Sequence, residues 1–196
     1  LYSPGNILSP RVFILGLGKK KEFTPDDLRR AIGSFTKSLR KKLKSVALSL
    51  PLESEASDGK ERIAQVAAEG FLLGAYEFSK YRSKEKKSEK RLETVTFAFE
   101  KGQSTDTIRK GISKAETFSR ATILARDLVN EQAYIATPSY LANLALDIAK
   151  KDPKHIKCKV YDRKEAENLG MNAFLGVARG SDTPPKFIVL EYTPDR

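Results

Sequence analysis

Residues 105–138 read TDTIRKGISKAETFSRATILARDLVNEQAYIATP. Apolar or small side chains recur at Ile108, Ile112, Ala115, Phe118, Thr122, Ala125 and Val129, the three-and-four spacing of one buried helical stripe. Thr105 suits an N-cap, and Asp106 suits the positive end of the helix dipole. The spacing predicts a helix over residues 105–133, roughly 40 Å long at 1.5 Å per residue. A helix of that length commonly serves two packed units at once. It is therefore read as a hinge, with an α/β domain before it and the start of a second after it.

Working upstream, residues 93–100 (ETVTFAFE) alternate cleanly and predict a strand. Before them, residues 79–91 (SKYRSKEKKSEKR) form a charge run. A helix carrying Ile63, Val66, Ala67, Gly70, Phe71, Gly74, Phe78 and Tyr81 on one face precedes the run, and Asp58 with Glu61 resembles a capping box. Residues 45–50 (SVALSL) predict a strand, closed by Pro51. Thr24-Pro25-Asp26-Asp27 is a helix start: a cap, a proline at the first helical position, then two acids. Leu28, Ala31, Ile32, Phe35, Leu39 and Leu43 form the buried face of that helix, and Arg40, Lys41, Lys42 and Lys44 follow as a basic end. Residues 11–17 (RVFILGL) are a nearly continuous apolar run, the pattern of a strand covered on both faces. The order β-α-β-α-β-α argues for a mostly parallel sheet flanked by helices.

Downstream, Thr137 caps a helix over residues 138–150, and residues 157–161 predict a short strand. Asp162 with Glu165 forms a capping box, and Gly170 stops the helix it starts. Residues 171–177 and 186–192 complete a further β-α-β pattern, too short for a full domain. The predicted organisation is an α/β domain over 1–104, a linking helix and connector over 105–137, and a truncated α/β unit over 138–196. The chain begins at Leu1 without an initiator methionine and stops at Arg196 after a strand, which is expected of a fragment.

The net charge of +11 favours an anionic partner and says nothing about fold. A single cysteine, Cys158, rules out an intramolecular disulfide framework. No apolar run approaches the roughly 20 residues of a membrane span. His155 reads as a surface-loop histidine and Cys158 as a small buried residue; no GxSxG, HExxH or CxxC occurs. Gly16-Leu17-Gly18-Lys19 reads as a strand-to-helix turn, since it matches neither phosphate-loop pattern. The Ser-x-x-Lys occurrences fall to chance in so lysine-rich a chain. A basic cluster remains: Lys80, Arg82, Lys84, Lys86, Lys87, Lys90 and Arg91, to which Arg40, Lys41, Lys42 and Lys44 add. Together these could neutralise several phosphates of a nucleic acid. Only Tyr81 interleaves them, so no base-stacking platform is expected.

Residues 125–142, ARDLVNEQAYIATPSYLA, resemble the segment ARDLVNEPANxxTPxxLA that opens the catalytic domain of the leucyl aminopeptidase (cytosol aminopeptidase) family. Asn168 to Ser181, NLGMNAFLGVARGS, is similar to that family's LGMGAFLGVARGS, and PPKFIVLEY at 184–192 to its PPxxIVLEY. ILGLGKKKEFTPDDLRRA at 14–31 looks like its N-domain strand-turn-helix. Gln132 and Tyr134 stand where the family has Pro and Asn, and Asn172 where it has Gly.

The resemblance implies a macro-domain-like N-terminal domain lacking its first strands, followed by the start of a catalytic domain. It also implies a cytoplasmic, hexamer-forming parent enzyme that removes N-terminal amino acids from peptides with two divalent metals, zinc or manganese. The family's ligand-bearing GKG-x-TFDSGG and NTDAEGR segments do not occur in this sequence. No catalytic, cofactor-binding or metal residue is therefore carried over, and the chain alone is expected to be inactive. Nucleic-acid binding by the basic N-domain is the alternative reading, and the macro-like fold adds a nucleotide-sugar pocket as a weaker one.

Overall fold

The computed structural model describes residues 9, 11–49, 57–83, 92–98 and 105–195. The chain divides into two compact units, Leu1–Asp127 and Leu128–Arg196.

Among the described residues of the first unit, helix α1 (Pro25–Leu39), capped by Thr24, comes first. Asp27 N–H donates to Thr24 Oγ1 at 3.3 Å, and Thr24 N–H donates to the Asp27 carboxylate at 2.9 Å. Thr24 Oγ1 also donates to the Asp27 carboxylate at 2.6 Å; this bond first and the Thr24 backbone N–H second hold the Asp27 carboxyl below its ordinary value. Strand β1 (Ser45–Ser49) pairs in parallel with β2 (Thr94–Ala98), Ser45 opposite Thr94. Helix α2 (Ser57–Ala75) lies between them in sequence, and α3 (Thr105–Asn130) follows.

Leu28, Ile32, Ile63, Val66, Ala67, Phe71 and Ile108 form one buried cluster, against which Val46, Leu48, Val95 and Phe97 pack from the sheet. The alternate sheet residues Ser45, Ala47, Ser49, Thr94, Thr96 and Ala98 are exposed. Small and hydroxyl side chains have little apolar area to hide, so this face is left without a covering layer among the described residues. Across the helix pair, Arg29 Nε donates to Glu69 Oε2 at 2.7 Å, and Gln65 Nε2 donates to the other carboxylate oxygen at 2.7 Å. A carboxylate that is almost wholly buried is thus matched with a cation and a second donor.

Three expectations are corrected in this unit. Residues 11–17 form no strand: apart from an isolated bridge at Arg11 they have no regular structure, with Leu15 and Leu17 packed on the core and Ile14 81% exposed. α2 stops at Ala75, so Phe78 and Tyr81 do not continue its face and instead stack edge-on, 5.9 Å apart. The buried stripe of α3 is Ile108, Gly111, Ala115 and Ser119; Phe118 and Val129 are 55% and 85% exposed. Small residues let α3 approach α2 closely, and close backbone approach rather than bulk decides which face is covered.

In the second unit α4 (Pro138–Lys151) is capped by Thr137, whose Oγ1 accepts from Tyr140 N–H. β3 (Ile156–Tyr161) leads through α5 (Arg163–Asn168) and α6 (Asn172–Ala178) to β4 (Phe187–Tyr192). The Asp162–Glu165 capping box is present. The expected β-α-β pattern is corrected here: residues 172–178 are helical, and β4 runs antiparallel to β3, Cys158 opposite Leu190. A single crossover helix returns the chain to the end it left, which gives a parallel strand. Two short helices turning at Gly170, with φ +66°, return it reversed.

Among the described residues no helix is long and apolar enough to cross a membrane.

Candidate functional site

The basic segments that are separate in sequence meet at the C-terminal end of α2. Arg40 Nη1 donates to the Gly74 and Tyr76 carbonyls at 3.1 and 2.7 Å, and Arg126 Nη1 donates to the Leu73 carbonyl at 3.1 Å. Two guanidiniums thus satisfy carbonyls that a helix end leaves open, at the negative pole of its dipole. Tyr76 lies under the Arg126 guanidinium and donates its hydroxyl to Asp127 at 2.8 Å. The next residue, Glu77, is turned inward. Arg82 bonds it directly, with Lys41 Nζ at 3.7 Å and Arg40 Nη2 at 3.8 Å from the same oxygen. Burial pushes the Glu77 carboxyl up, but the Arg82 hydrogen bond and the charges of Arg82, Lys41 and Arg40 hold it below its ordinary value.

One carboxylate therefore gathers three cations. The chain comes back to the same corner: Leu92 N–H donates to the Arg40 carbonyl at 2.8 Å, and Glu93 N–H to the Lys44 carbonyl at 2.9 Å. Of the cluster read from the sequence, Lys80 sits 5.4 Å from the Tyr81 ring centroid and Arg82 bonds Glu77. Lys84, Lys86, Lys87, Lys90 and Arg91 lie outside the described residues. Arg82, shortly before them, and Leu92, just after them, both bond to this corner. No local pattern singles out Glu77, which is one acid among many until folding sets it between two basic segments.

His155 is not a free loop histidine. Its Nδ1 lies 2.9 Å from both Asp152 carboxylate oxygens, and its Nε2 lies 3.0 Å from Asp195 Oδ2, at ion-pair distance but out of hydrogen-bond alignment. The Asp152 contact, then the Asp195 contact, push its pKa above the ordinary 6.5. Lys154, 2.7 Å from Asp195, completes the group. Cys158 is half-buried in β3, as a small packed residue. Gly18 has φ +80°, the turn follows at residues 20–22, where Glu22 N–H donates to the Lys19 carbonyl at 3.0 Å, and α1 begins only at Pro25.

No three histidine, cysteine, aspartate or glutamate side chains among the described residues gather as a metal ion requires. They do not fit a two-metal centre, and no chemical step is assigned to one here.

A cavity of about 630 Å³ opens in the first unit. Residues 43–49 line it, together with Arg11, Phe13 and Leu15 and with Ile32, Phe35 and Phe71. Gly16 and Gly18 do not line it.

Two sequence families match the chain. Residues 1–85 match the model of the cytosol aminopeptidase family, N-terminal domain, and residues 123–196 that of its catalytic domain. A probable cytosol aminopeptidase of Geobacter sp. (strain M21) is 36% identical over 193 residues, covering 98% of this chain and 38% of the relative. That of Sulfurihydrogenibium sp. (strain YO3AOP1) is 37% identical over 190 residues, covering 97% and 37%. Among solved structures, a mutant of tomato leucine aminopeptidase is 27% identical, with a TM-score of 0.78 over 90% of this chain and 35% of that one. The bottromycin maturation enzyme BotP, solved in complex with Mn, is 29% identical with a TM-score of 0.73, covering 92% and 36%. The chain thus spans little more than a third of the length of the relatives it matches. With both domain models matched in order along it, the chain belongs to the cytosol aminopeptidase family.

Proposed function

We propose that this chain is the N-terminal portion of a two-metal leucyl aminopeptidase that releases N-terminal amino acids from peptides. In this reading it serves as scaffold and oligomer support rather than as the catalyst. The observation that carries it is the order of the two family matches, the N-terminal domain at 1–85 and the catalytic domain from 123. The manganese in BotP supports a divalent-metal enzyme, in which the metals would activate water and polarise the peptide carbonyl. Zinc or manganese, a hexameric assembly and a cytoplasmic location follow the same reading. The test is an assay of the purified 196-residue chain on leucyl substrates with added manganese or zinc. No turnover is expected; robust turnover overturns the scaffold role.

A second reading, nucleic-acid binding by the first unit, is favoured by the convergence of Arg40, Lys41 and Arg82 on Glu77. Charge supports it as well: the first unit has 26 basic against 16 acidic residues, the second 10 against 9. Phosphate contacts release counterions, so affinity falls with salt by a log–log slope of about −0.9 per contact. Fluorescence anisotropy with duplex DNA at two salt concentrations is expected to give a slope of about −3 or steeper. No binding at low salt, or binding indifferent to salt, removes this reading.

A further inference from the structure

His155 stands in the turn between α4 and β3, and two carboxylates meet its two ring nitrogens. Nδ1 lies 2.9 Å from both oxygens of Asp152, which caps the C-terminal end of α4. Nε2 lies 3.0 Å from Oδ2 of Asp195, which follows β4. The two acids sit at opposite nitrogens, so the three groups share no common centre and are no metal site. They form a bridge through the ring instead. A carboxylate only accepts, and a neutral imidazole has one N–H to give. Neutral His155 therefore serves one acid and turns a lone pair toward the other. The imidazolium, a donor at both nitrogens, serves both.

The two ends of the bridge are unequal. Asp152 belongs to the same turn: its carbonyl accepts from His155 N–H at 3.2 Å and from Ile156 N–H at 2.8 Å, which keeps it beside the ring whatever the proton does. Asp195 arrives from the far side of the β3–β4 pair, and its contact with Nε2 lacks hydrogen-bond alignment. That contact rests on the charge of the ring and is the one lost with the proton. Two further ties hold the same segment. Thr193 N–H donates to the His155 carbonyl at 2.8 Å, one step past the Ile156–Tyr192 pair, and Lys154 Nζ lies 2.7 Å from Asp195 Oδ1. Lys154 and Asp195 are both well exposed, so their pair holds weakly by itself. Of the other ionisable groups nearby, Tyr192 lies 6.4 Å from His155 between ring centroids. Lys150 is paired with Asp147, Lys151 ends α4, and Lys157 and Glu191 oppose one another one step into the strand pair. Arg196 lies outside the described residues.

We infer that His155 is a proton-operated latch on the segment that leaves β4. With the imidazole doubly protonated, residues 193–195 are held across the turn that joins α4 to β3. With it neutral, Asp195 is let go and the segment is left with the Thr193 bond and the Lys154 pair. Asp152 first and Asp195 second push the His155 pKa above 6.5. The latch is thus shut below 6.5 and opens as pH rises through the folded value. It rests on neither the peptidase reading nor the nucleic-acid reading, because it uses no metal, no substrate and no residue of the first unit.

The test is amide hydrogen exchange on the whole 196-residue chain, with the His155 ring titration followed by nuclear magnetic resonance from about pH 5 to about pH 8. Protection of the Thr193 amide is expected to fall about two- to fivefold with the midpoint of that titration, the worth of one exposed ion pair. The amides of Lys159 and Val189, deeper in the strand pair, are expected to hold theirs. His155→Gln is expected to show the lower Thr193 protection at every pH. Asp195→Asn, a change at an exposed side chain, is expected to do the same and to move the His155 midpoint toward 6.5. Thr193 protection indifferent to the His155 titration overturns the proposal, and so does a midpoint that Asp195→Asn leaves in place. Equal loss at Thr193, Lys159 and Val189 overturns it too, since the unit then opens as a whole.

Discussion

Gly111 sits where α3 crosses α2, and a Cβ built on it would meet the Glu61 carbonyl oxygen at 2.3 Å. A backbone atom cannot swing aside as a side chain can. Alanine in a helix gains about 1 kcal/mol over glycine, yet forced packing against backbone costs about 1–3 kcal/mol. Gly111→Ala is expected to destabilise the chain by up to about 2 kcal/mol. Gly176, also helical, has open space around its Cβ position, so Gly176→Ala is expected to be neutral or to stabilise by up to about 1 kcal/mol. Urea unfolding followed by circular dichroism checks the opposite signs. His155 gives a pH dependence. Its pKa is raised in the folded chain, so its contribution is complete below the ordinary 6.5 and is lost as pH rises through the folded value. Lys154 first and His155 second lower Asp195 below 3.8, so that contribution is lost as pH falls through its folded value. The cluster stabilises most between about pH 4 and 6.5. Thermal melts carried from that range upward past pH 6.5 should show the alkaline loss in the native chain and not in His155→Gln.

At the scale of elements, the caps were legible because they are local. Thr24 to Asp27 and Asp162 to Glu165 are each four residues long, and no distant group is needed to satisfy their hydrogen bonds. Thr24→Ala removes one acceptor at the start of α1 and is expected to cost about 1 kcal/mol. A fall in urea midpoint with an unchanged slope is the measurement. The C-terminal end of α2 was not legible. Its pattern runs on past Ala75 in sequence, but Arg40 and Arg126, 34 and 53 residues from the carbonyls they bond, take Gly74 and Leu73. For residues 11–17 the apolar run was legible and its strand pairing was not, because a strand exists only with a partner edge. For the candidate site, Lys80 and Arg82 could be named from composition, whereas Glu77, which gathers Arg40, Lys41 and Arg82, could not.

At the scale of the molecule, the two units differ in charge and in core. The first concentrates a cluster of large residues, Leu28, Ile32, Val66, Phe71 and Ile108 among them. The buried hydrophobic residues of the second are Ala142, Ala145, Ala166 and Leu175, while Leu169, Val177 and Tyr192 are 60%, 87% and 66% exposed. Burial of apolar area is the main favourable term in folding, at about 25 cal/mol per Å². The second unit is therefore expected to open more readily. Native-state hydrogen exchange should find β3 and β4 amides exchanging at lower opening free energy than the α1 and α2 amides. Equal protection in both units would count against this account.

The amino-acid sequence by itself determined helices α1 to α5, the caps at Thr24, Thr137 and Asp162, the four strands β1 to β4, the net charge and the family motifs. Each of these depends on residues within a few positions of one another, or on composition alone. Tertiary structure decided the direction of β4, the buried stripe of α3, the stop of α2 and the meeting of basic segments at Glu77. Those outcomes depend on which backbone atoms and charges arrive from tens of residues away, and no local pattern encodes that arrival.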